Sequence, residues 1–202
     1  MKEMNLPNKL TMLRIILVPF FILFMALPVK YSVFKFIALF IYIAASITDF
    51  LDGHIARSRN LITNFGKIAD PLADKLLVSS GFVMLTYLQV IPGFITAIIL
   101  FRDLTVSSLR MFAVNKGGDV AAIWSGKVKT VFELIGICLG IFMVGIKCSN
   151  VKFFGFIKMD MNTFDFWMNM SVSVIIFMAT VTTIWSLVDY FLAFKKYIDI
   201  TK

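Results

Sequence analysis

Long apolar runs alternate with short polar breaks along this chain of 202 residues. Six of the runs are long enough to cross a membrane, since a helix needs about 20 residues to span a hydrocarbon core ~30 Å thick. Turn-forming or charged residues fill the breaks, such as Pro28 and Lys30 after the first run and Pro92 with Gly93 after the third. The predicted spans are Lys9 to Leu27, Val33 to Ile55, Gly66 to Leu88, Pro92 to Val114, Gly126 to Ile146 and Asn169 to Phe194. The pattern predicts an all-α integral membrane protein, with six transmembrane helices in a single domain over residues 1–202.

Composition and charge support this class. Hydrophobic residues make up 59% of the chain and charged residues 16%, which is unlike an ordinary soluble domain. The net charge is +8, but the basic residues are spread between the apolar runs. Anionic lipid headgroups and phosphorylated substrates are therefore the expected partners, and nucleic acid is not. The bias of lysine and arginine among the short loops predicts that both termini are cytoplasmic, together with the polar stretch between the second and third spans.

That polar stretch runs from Asp49 to Lys75 and carries four carboxylates between two apolar runs. Asp49 and Asp52 share a helix face because they are three residues apart, and Asp70 and Asp74 share a face at a spacing of four. A hairpin of the second and third helices would bring the two faces together. Each charge placed in the membrane costs at least ~2.5 kcal/mol, so a compensating cation is expected. Clustered carboxylates favour magnesium, manganese or calcium, and the sequence predicts a metal site at the membrane surface.

Small and basic residues follow the first carboxylate pair. Gly53 has no side chain, so a pyrophosphate can approach the helix backbone closely. Ala56 keeps the same face open, and Arg57 can form a forked pair of hydrogen bonds with a phosphate. The alternative interpretation is a structural ion-pair network of the carboxylates with Arg57 and Lys75. His54 is expected at a solvated or interfacial position rather than as a ligand.

The complete spacing is D-x-x-D-G-x-x-A-R, eight further residues, and then G-x-x-x-D-x-x-x-D. It resembles the signature of the CDP-alcohol phosphotransferase family, which are integral membrane enzymes of phospholipid synthesis. The resemblance implies that Asp49, Asp52 and Asp70 bind metal, and that Asp74 both contacts metal and acts as general base for the acceptor hydroxyl. Four carboxylates suit two ions per site, Mg²⁺ or alternatively Mn²⁺. The expected nucleotide-binding residues are Gly53, Ala56, Arg57, Gly66, Asn8 and Thr11. For Asn8, the alternative role is that of a helix cap.

A second set of charged residues lies in the fourth and fifth predicted spans: Arg102, Asp103, Arg110, Lys127, Lys129 and Glu133. Ionisable groups inside a membrane either line a cavity or pair with each other. Pairing of Arg102 with Asp103 and of Lys129 with Glu133 is the alternative to a binding role. Such pairing would leave Arg110 and Lys127 unpaired. These two are therefore the preferred binding residues for an anionic acceptor, with Lys129 and Arg102 as further candidates. Near the end of the last span, Trp185, Tyr190 and Tyr197 are predicted interfacial anchors.

Stretches outside the core motif are similar to one branch of the family. They are N-L-P-N-K-L-T-M-L-R near the amino terminus, A-D-P-L-A-D-K around Asp74, R-D-L-T-V-S-S-L-R from Arg102 and S-G-K-V-K-T from Ser125. The similarity implies transfer of a phosphatidyl group from CDP-diacylglycerol to sn-glycerol 3-phosphate with release of CMP. It also implies a homodimer in the bacterial cytoplasmic membrane with its active site facing the cytoplasm. The alternatives are another acceptor (serine, inositol phosphate or phosphatidylglycerol) or, from a different class, a cation transporter.

Overall fold

The structure is a computed structural model that describes residues 6–28, 32–58, 64–115, 123–148 and 161–195. It describes their side chains except at 6–7, 50–58, 64–65, 67–68, 114–115 and 161–162. These residues form six α-helices and no β-strand, which confirms the predicted all-α class. The helices are α1 Leu6–Ala26, α2 Ser32–Ser58, α3 Asn64–Tyr87, α4 Gly93–Asn115, α5 Trp124–Cys148 and α6 Met161–Phe194. The largest difference from the predicted bounds is α6, which begins well before Asn169 because apolar residues such as Phe164, Phe166 and Trp167 extend the span toward the amino terminus.

Four of the described helices, α1, α2, α5 and α6, are long and apolar enough to cross a membrane. The other two are interrupted by charge. Asp70, Asp74 and Lys75 lie in α3, and α4 contains Arg102, Asp103 and Arg110. The chain is therefore a membrane protein with several apolar helices, while the count of six spans and the orientation of the termini stay predictions.

The main hydrophobic core lies between α1, α2, α3 and α5. Phe21, Tyr42, Phe82 and Ile137 are fully buried there. The helices approach closely at Gly81, where a Cβ atom would lie 2.8 Å from the Ile137 side chain. Any larger residue at this position would have to displace its neighbour, so the glycine permits the contact between α3 and α5.

Polar contacts at one end of the bundle hold the turns between α1 and α2 and between α3 and α4. The Lys35 ammonium donates hydrogen bonds to the carbonyl oxygens of Met25 at 2.5 Å and Leu27 at 2.8 Å. It thereby satisfies carbonyls that the end of α1 leaves without helical partners. The hydroxyls of Thr86 and Thr96 are 2.6 Å apart beside the second turn. The opposite end of the bundle contains the predicted site.

Candidate active site

Polar side chains from six helices meet at that opposite end of the bundle. Contacts join α1 to α2 and α3, α3 to α4, α4 to α5, and both α4 and α5 to α6. The hairpin prediction required the end of α2 to lie near the start of α3, and contacts of both helices with α1 place them there. Two groups of charged residues result, and they differ in the sign of their charge.

The first group, here called the carboxylate cluster, consists of Arg14, Asp49, Asp70 and Asp74. Arg14 Nη1 lies 2.5 Å from Asp49 Oδ1, and the Arg14 side chain is fully buried while that of Asp49 is 41% exposed. The Thr11 hydroxyl donates a hydrogen bond of 2.6 Å to Asp70 Oδ1. Thr11 and Arg14 are three residues apart on one face of α1, so a single helix supports carboxylates on two others.

The three described carboxylates lie within electrostatic range of one another. Asp49 interacts with both Asp70 and Asp74, and Asp74 is also influenced by Arg14. Three carboxylates and one guanidinium leave a formal charge of −2 in this cluster. Among the residues whose side chains are described, no group of three acidic, histidine or cysteine side chains has metal-binding geometry. The fourth predicted ligand, Asp52, lies outside that set.

Three of the six predicted nucleotide residues also lie outside the described side chains. The backbone of Gly53, Ala56 and Arg57 belongs to the last turns of α2. Asn8 in α1 is 9% exposed, and Gly66 in the first turn of α3 is buried. Both therefore lie in the buried interior at the end of the bundle that contains the carboxylates.

The second group, here called the basic cluster, consists of Lys75, Arg102, Asp103, Arg110, Lys129 and Glu133. Asp103 is at its centre: Arg102 Nη1 lies 3.0 Å from Asp103 Oδ1, and Lys129 pairs with the same oxygen. Lys129 also lies 2.7 Å from Glu133 Oε2. Both of the ion pairs that were the alternative to a binding role are thus present. Four cations and two carboxylates leave a formal charge of +2.

Lys75 connects the two clusters. It follows Asp74 directly in sequence, but its ammonium donates to the Asp103 carbonyl oxygen at 3.0 Å and to the Ser107 hydroxyl. Lys75 is therefore anchored to α4. The alternative interpretation of the sequence placed Lys75 in an ion-pair network with the carboxylates. Its two hydrogen bonds instead go to α4.

The α6 helix closes the basic cluster. Arg102 donates to the Ser186 hydroxyl, and the Thr183 hydroxyl lies 3.4 Å from Glu133 Oε1. Arg110 Nη2 donates a hydrogen bond of 2.7 Å to the Tyr190 hydroxyl. The Arg110 and Lys127 side chains are exposed, whereas Lys129 is 2% exposed. Of the four cations predicted to bind the acceptor, Arg110 and Lys127 are therefore the two whose side chains are exposed.

Comparison with known proteins assigns the family. The family model described as CDP-alcohol phosphatidyltransferase matches residues 4–185. This chain belongs to that family. A protein of Bacillus subtilis (strain 168) is 39% identical over 143 residues, which cover 66% of this chain and 74% of that protein. A protein of Escherichia coli (strain K12) is 33% identical over 195 residues, or 93% of both chains. Both relatives are named CDP-diacylglycerol–glycerol-3-phosphate 3-phosphatidyltransferase.

The donor set fits the metal ions that membership of this family implies. Asp49, Asp70 and Asp74 supply only carboxylate oxygens, and their cluster has an excess of negative charge. Hard divalent cations prefer such oxygen ligands. The two free cysteines, Cys138 and Cys148, lie in the middle and the last turn of α5. The residues present therefore suit Mg²⁺ or Mn²⁺ rather than a metal that prefers sulfur.

Sequence reasoning missed two residues of this site. From the sequence, Arg14 is assigned no role at the site, although its side chain is fully buried against Asp49. The available signal was the polar series Asn8, Thr11 and Arg14 at spacings of three, which places these side chains on one face of α1. Tyr190 was predicted to be an interfacial anchor, and that prediction is wrong because the residue is 2% exposed. Trp185, which is 52% exposed, is compatible with an anchor, and Tyr197 lies outside the described residues.

Proposed function

We propose that this protein transfers the phosphatidyl group of CDP-diacylglycerol to sn-glycerol 3-phosphate, forming phosphatidylglycerophosphate and CMP. The observation that carries the proposal is the juxtaposition of two oppositely charged clusters at one end of the bundle, joined through Lys75. The negative cluster suits metal ions on a diphosphate. The positive cluster suits a second anion, the acceptor's own phosphate. Serine has no phosphate and carries an ammonium group beside its single carboxylate, so it would use the positive cluster less well.

The proposed mechanism uses Asp74 as the general base. Its carboxylate takes the proton from an acceptor hydroxyl while the oxygen attacks the phosphorus that bears diacylglycerol. The new phosphorus–oxygen bond forms as the bond to the bridging diphosphate oxygen breaks, and CMP leaves with the electron pair. Asp49, Asp52 and Asp70, with Asp74, would hold two Mg²⁺ ions, which when bound neutralise charge on the diphosphate. Arg57, Gly53, Ala56, Gly66, Asn8 and Thr11 would hold the nucleotide.

Arg110 and Lys127 are the proposed contacts for the acceptor phosphate. Both are exposed at the edge of the basic cluster, so a soluble substrate can reach them. Arg102 and Lys129 lie behind them and are engaged with Asp103. Their contribution to the acceptor site is therefore the local positive charge and the position of α4 and α5.

A panel of acceptors tests the reaction. The purified protein is mixed with CDP-diacylglycerol and Mg²⁺ in detergent and offered radiolabelled glycerol 3-phosphate, serine, inositol phosphate or phosphatidylglycerol. Of the four acceptors, we expect only glycerol 3-phosphate to give CMP release and a labelled lipid product. Labelling with a different acceptor would reassign the substrate. Intact CDP-diacylglycerol, together with tracer cation flux into proteoliposomes, would instead support a transporter.

The proposed location is the bacterial cytoplasmic membrane, with the charged end of the bundle facing the cytoplasm and two copies forming a homodimer. Cysteine labelling tests the orientation, after replacement of Cys138 and Cys148. Gly155→Cys should react with an impermeant thiol reagent from outside the cell, and Arg59→Cys should not. The reverse pattern would overturn the orientation. Light scattering of the purified protein in detergent tests the dimer.

A further inference from the structure

Tyr190 occupies an unusual place for a tyrosine near the end of a membrane helix. Its side chain is 2% exposed and packs in a small core with Val106, Ala113 and Phe194. The Tyr190 and Phe194 rings stack with centroids 5.8 Å apart. The ring is therefore fixed between α4 and α6, directly beside the basic cluster.

Two arginines of the basic cluster lie against this one ring. Arg102 Cζ is 5.4 Å and Arg110 Cζ is 5.7 Å from the Tyr190 ring centroid. The face of an aromatic ring attracts cations within about 6 Å. Two guanidinium groups repel each other, and attraction to a shared ring offsets part of that repulsion. The ring thus helps to keep two positive charges close together, as a dianionic ligand requires.

The Tyr190 hydroxyl orients one of the two arginines, Arg110. It accepts a hydrogen bond of 2.7 Å from Arg110 Nη2 and one of 3.4 Å from the Ile123 backbone N–H. Ile123 immediately precedes α5, so one oxygen atom connects α4, the start of α5 and α6. The Arg110 side chain is exposed, and a long arginine side chain can adopt many rotamers. Fixing it in one rotamer before the ligand arrives reduces the entropy lost on binding.

We propose that Tyr190 is a positioning residue of the acceptor site, which holds the Arg110 guanidinium in the orientation that receives the acceptor's phosphate. The proposal rests on the proposed function, because it takes the second anion to be the acceptor. It separates two parts of the side chain. The ring maintains the packing of α4 against α6, and the hydroxyl orients Arg110.

Tyr190→Phe tests this division because it keeps the ring and removes only the hydroxyl. We expect the KM for glycerol 3-phosphate to rise about 10-fold, while kcat and the KM for CDP-diacylglycerol stay near wild type. Tyr42→Phe is the matched control. Tyr42 is fully buried in the main core, and within the described part of the chain its hydroxyl has no hydrogen-bond partner. The proposal would be overturned if the KM for glycerol 3-phosphate were the same in Tyr190→Phe as in Tyr42→Phe.

A double-mutant cycle shows whether Tyr190 acts through Arg110. If it does, Tyr190→Phe should have no further effect on the acceptor KM in the Arg110→Ala background. A full additional effect there would contradict the proposal, since it would indicate a general structural role. Thermal unfolding of the two single variants in detergent, compared with wild type, reports any loss of folding separately.

A binding measurement distinguishes failure of this proposal from failure of the proposed function. Inorganic phosphate should raise the unfolding midpoint of the wild-type protein, and Arg110→Ala and Tyr190→Phe should each reduce that rise. This result would support Tyr190 even if glycerol 3-phosphate were not turned over. No rise in the wild type, or an undiminished rise in Tyr190→Phe, would overturn the role of Tyr190 even if turnover were normal.

Discussion

The carboxylate cluster and the basic cluster lie at the same end of the bundle but are built in opposite ways. In the carboxylate cluster, Asp49 and Asp74 share one buried arginine, Asp70 accepts a hydrogen bond from Thr11, and the Asp49 side chain remains 41% exposed. In the basic cluster, the charged groups that form ion pairs are mostly buried: Lys129 and Glu133, for example, are 2% and 1% exposed. The first cluster has a net negative charge, which a bound metal ion would offset. In the second, Arg102 and Lys129 are paired with the two carboxylates, and the exposed Arg110 lies at its edge.

This difference indicates separate roles within the basic cluster. Buried pairs hold the helices in position, and only the exposed cations are free to meet a soluble anion. Asp74 and Lys75 are neighbours in sequence, yet they belong to different clusters because successive side chains on a helix point about 100° apart. That one step along α3 places the proposed base beside the proposed metal ligands and ties its helix to the proposed acceptor side.

The largest effect is expected from opening the buried pair. Lys129→Met leaves Glu133 buried with the Thr183 hydroxyl as its remaining described contact. Removing one partner of a buried pair costs about 3–5 kcal/mol, so the thermal unfolding midpoint in detergent should fall clearly. Lys127→Met, two positions away on the exposed face, is the control and should leave the midpoint nearly unchanged. Similar midpoints for both variants would mean that the pair is not structural.

Next in size is the loss of the proposed base. Asp74→Asn keeps the shape of the side chain but removes its proton-accepting charge, and turnover should fall by at least ~100-fold. Asp165→Asn removes one acidic charge near the start of α6 and should retain activity. Steady-state rates at saturating Mg²⁺ measure both. Near-normal turnover in Asp74→Asn would exclude this residue as the general base.

A smaller effect is expected at the junction between the clusters. Lys75→Met removes the hydrogen bonds to the Asp103 carbonyl and Ser107, so α3 can shift relative to α4. Misplacing a base by a fraction of an ångström should lower kcat roughly 10-fold, with smaller changes in both KM values. Lys147→Met is the control, since among the described residues that exposed lysine bonds only Asn169, at the other end of the bundle. An unchanged kcat in Lys75→Met would show that the two clusters work independently.

The sequence predicted the helices well because apolar runs of span length leave few other structures possible in a membrane. It also predicted that carboxylates of two helices lie together, because their spacings of three and four fix them to helix faces, and Asp49, Asp70 and Asp74 do lie together. Their role in metal binding stays a prediction. It could not pair Arg14 with Asp49, because that contact depends on how α1 packs against α2. Tyr190 was misassigned for a related reason. Position near a span end suggests an interface, and only the packing of α4 against α6 shows that the ring is buried.

The central claim is that the two clusters bind different parts of the reaction, and a double dissociation tests it most directly. Measure the Mg²⁺ concentration for half-maximal rate and the KM for glycerol 3-phosphate in Asp70→Asn and Arg110→Ala. Asp70→Asn should raise the Mg²⁺ requirement and leave the acceptor KM nearly unchanged. Arg110→Ala should raise the acceptor KM about 10- to 100-fold and leave the Mg²⁺ requirement unchanged. Parallel changes of both quantities in both variants would contradict the account.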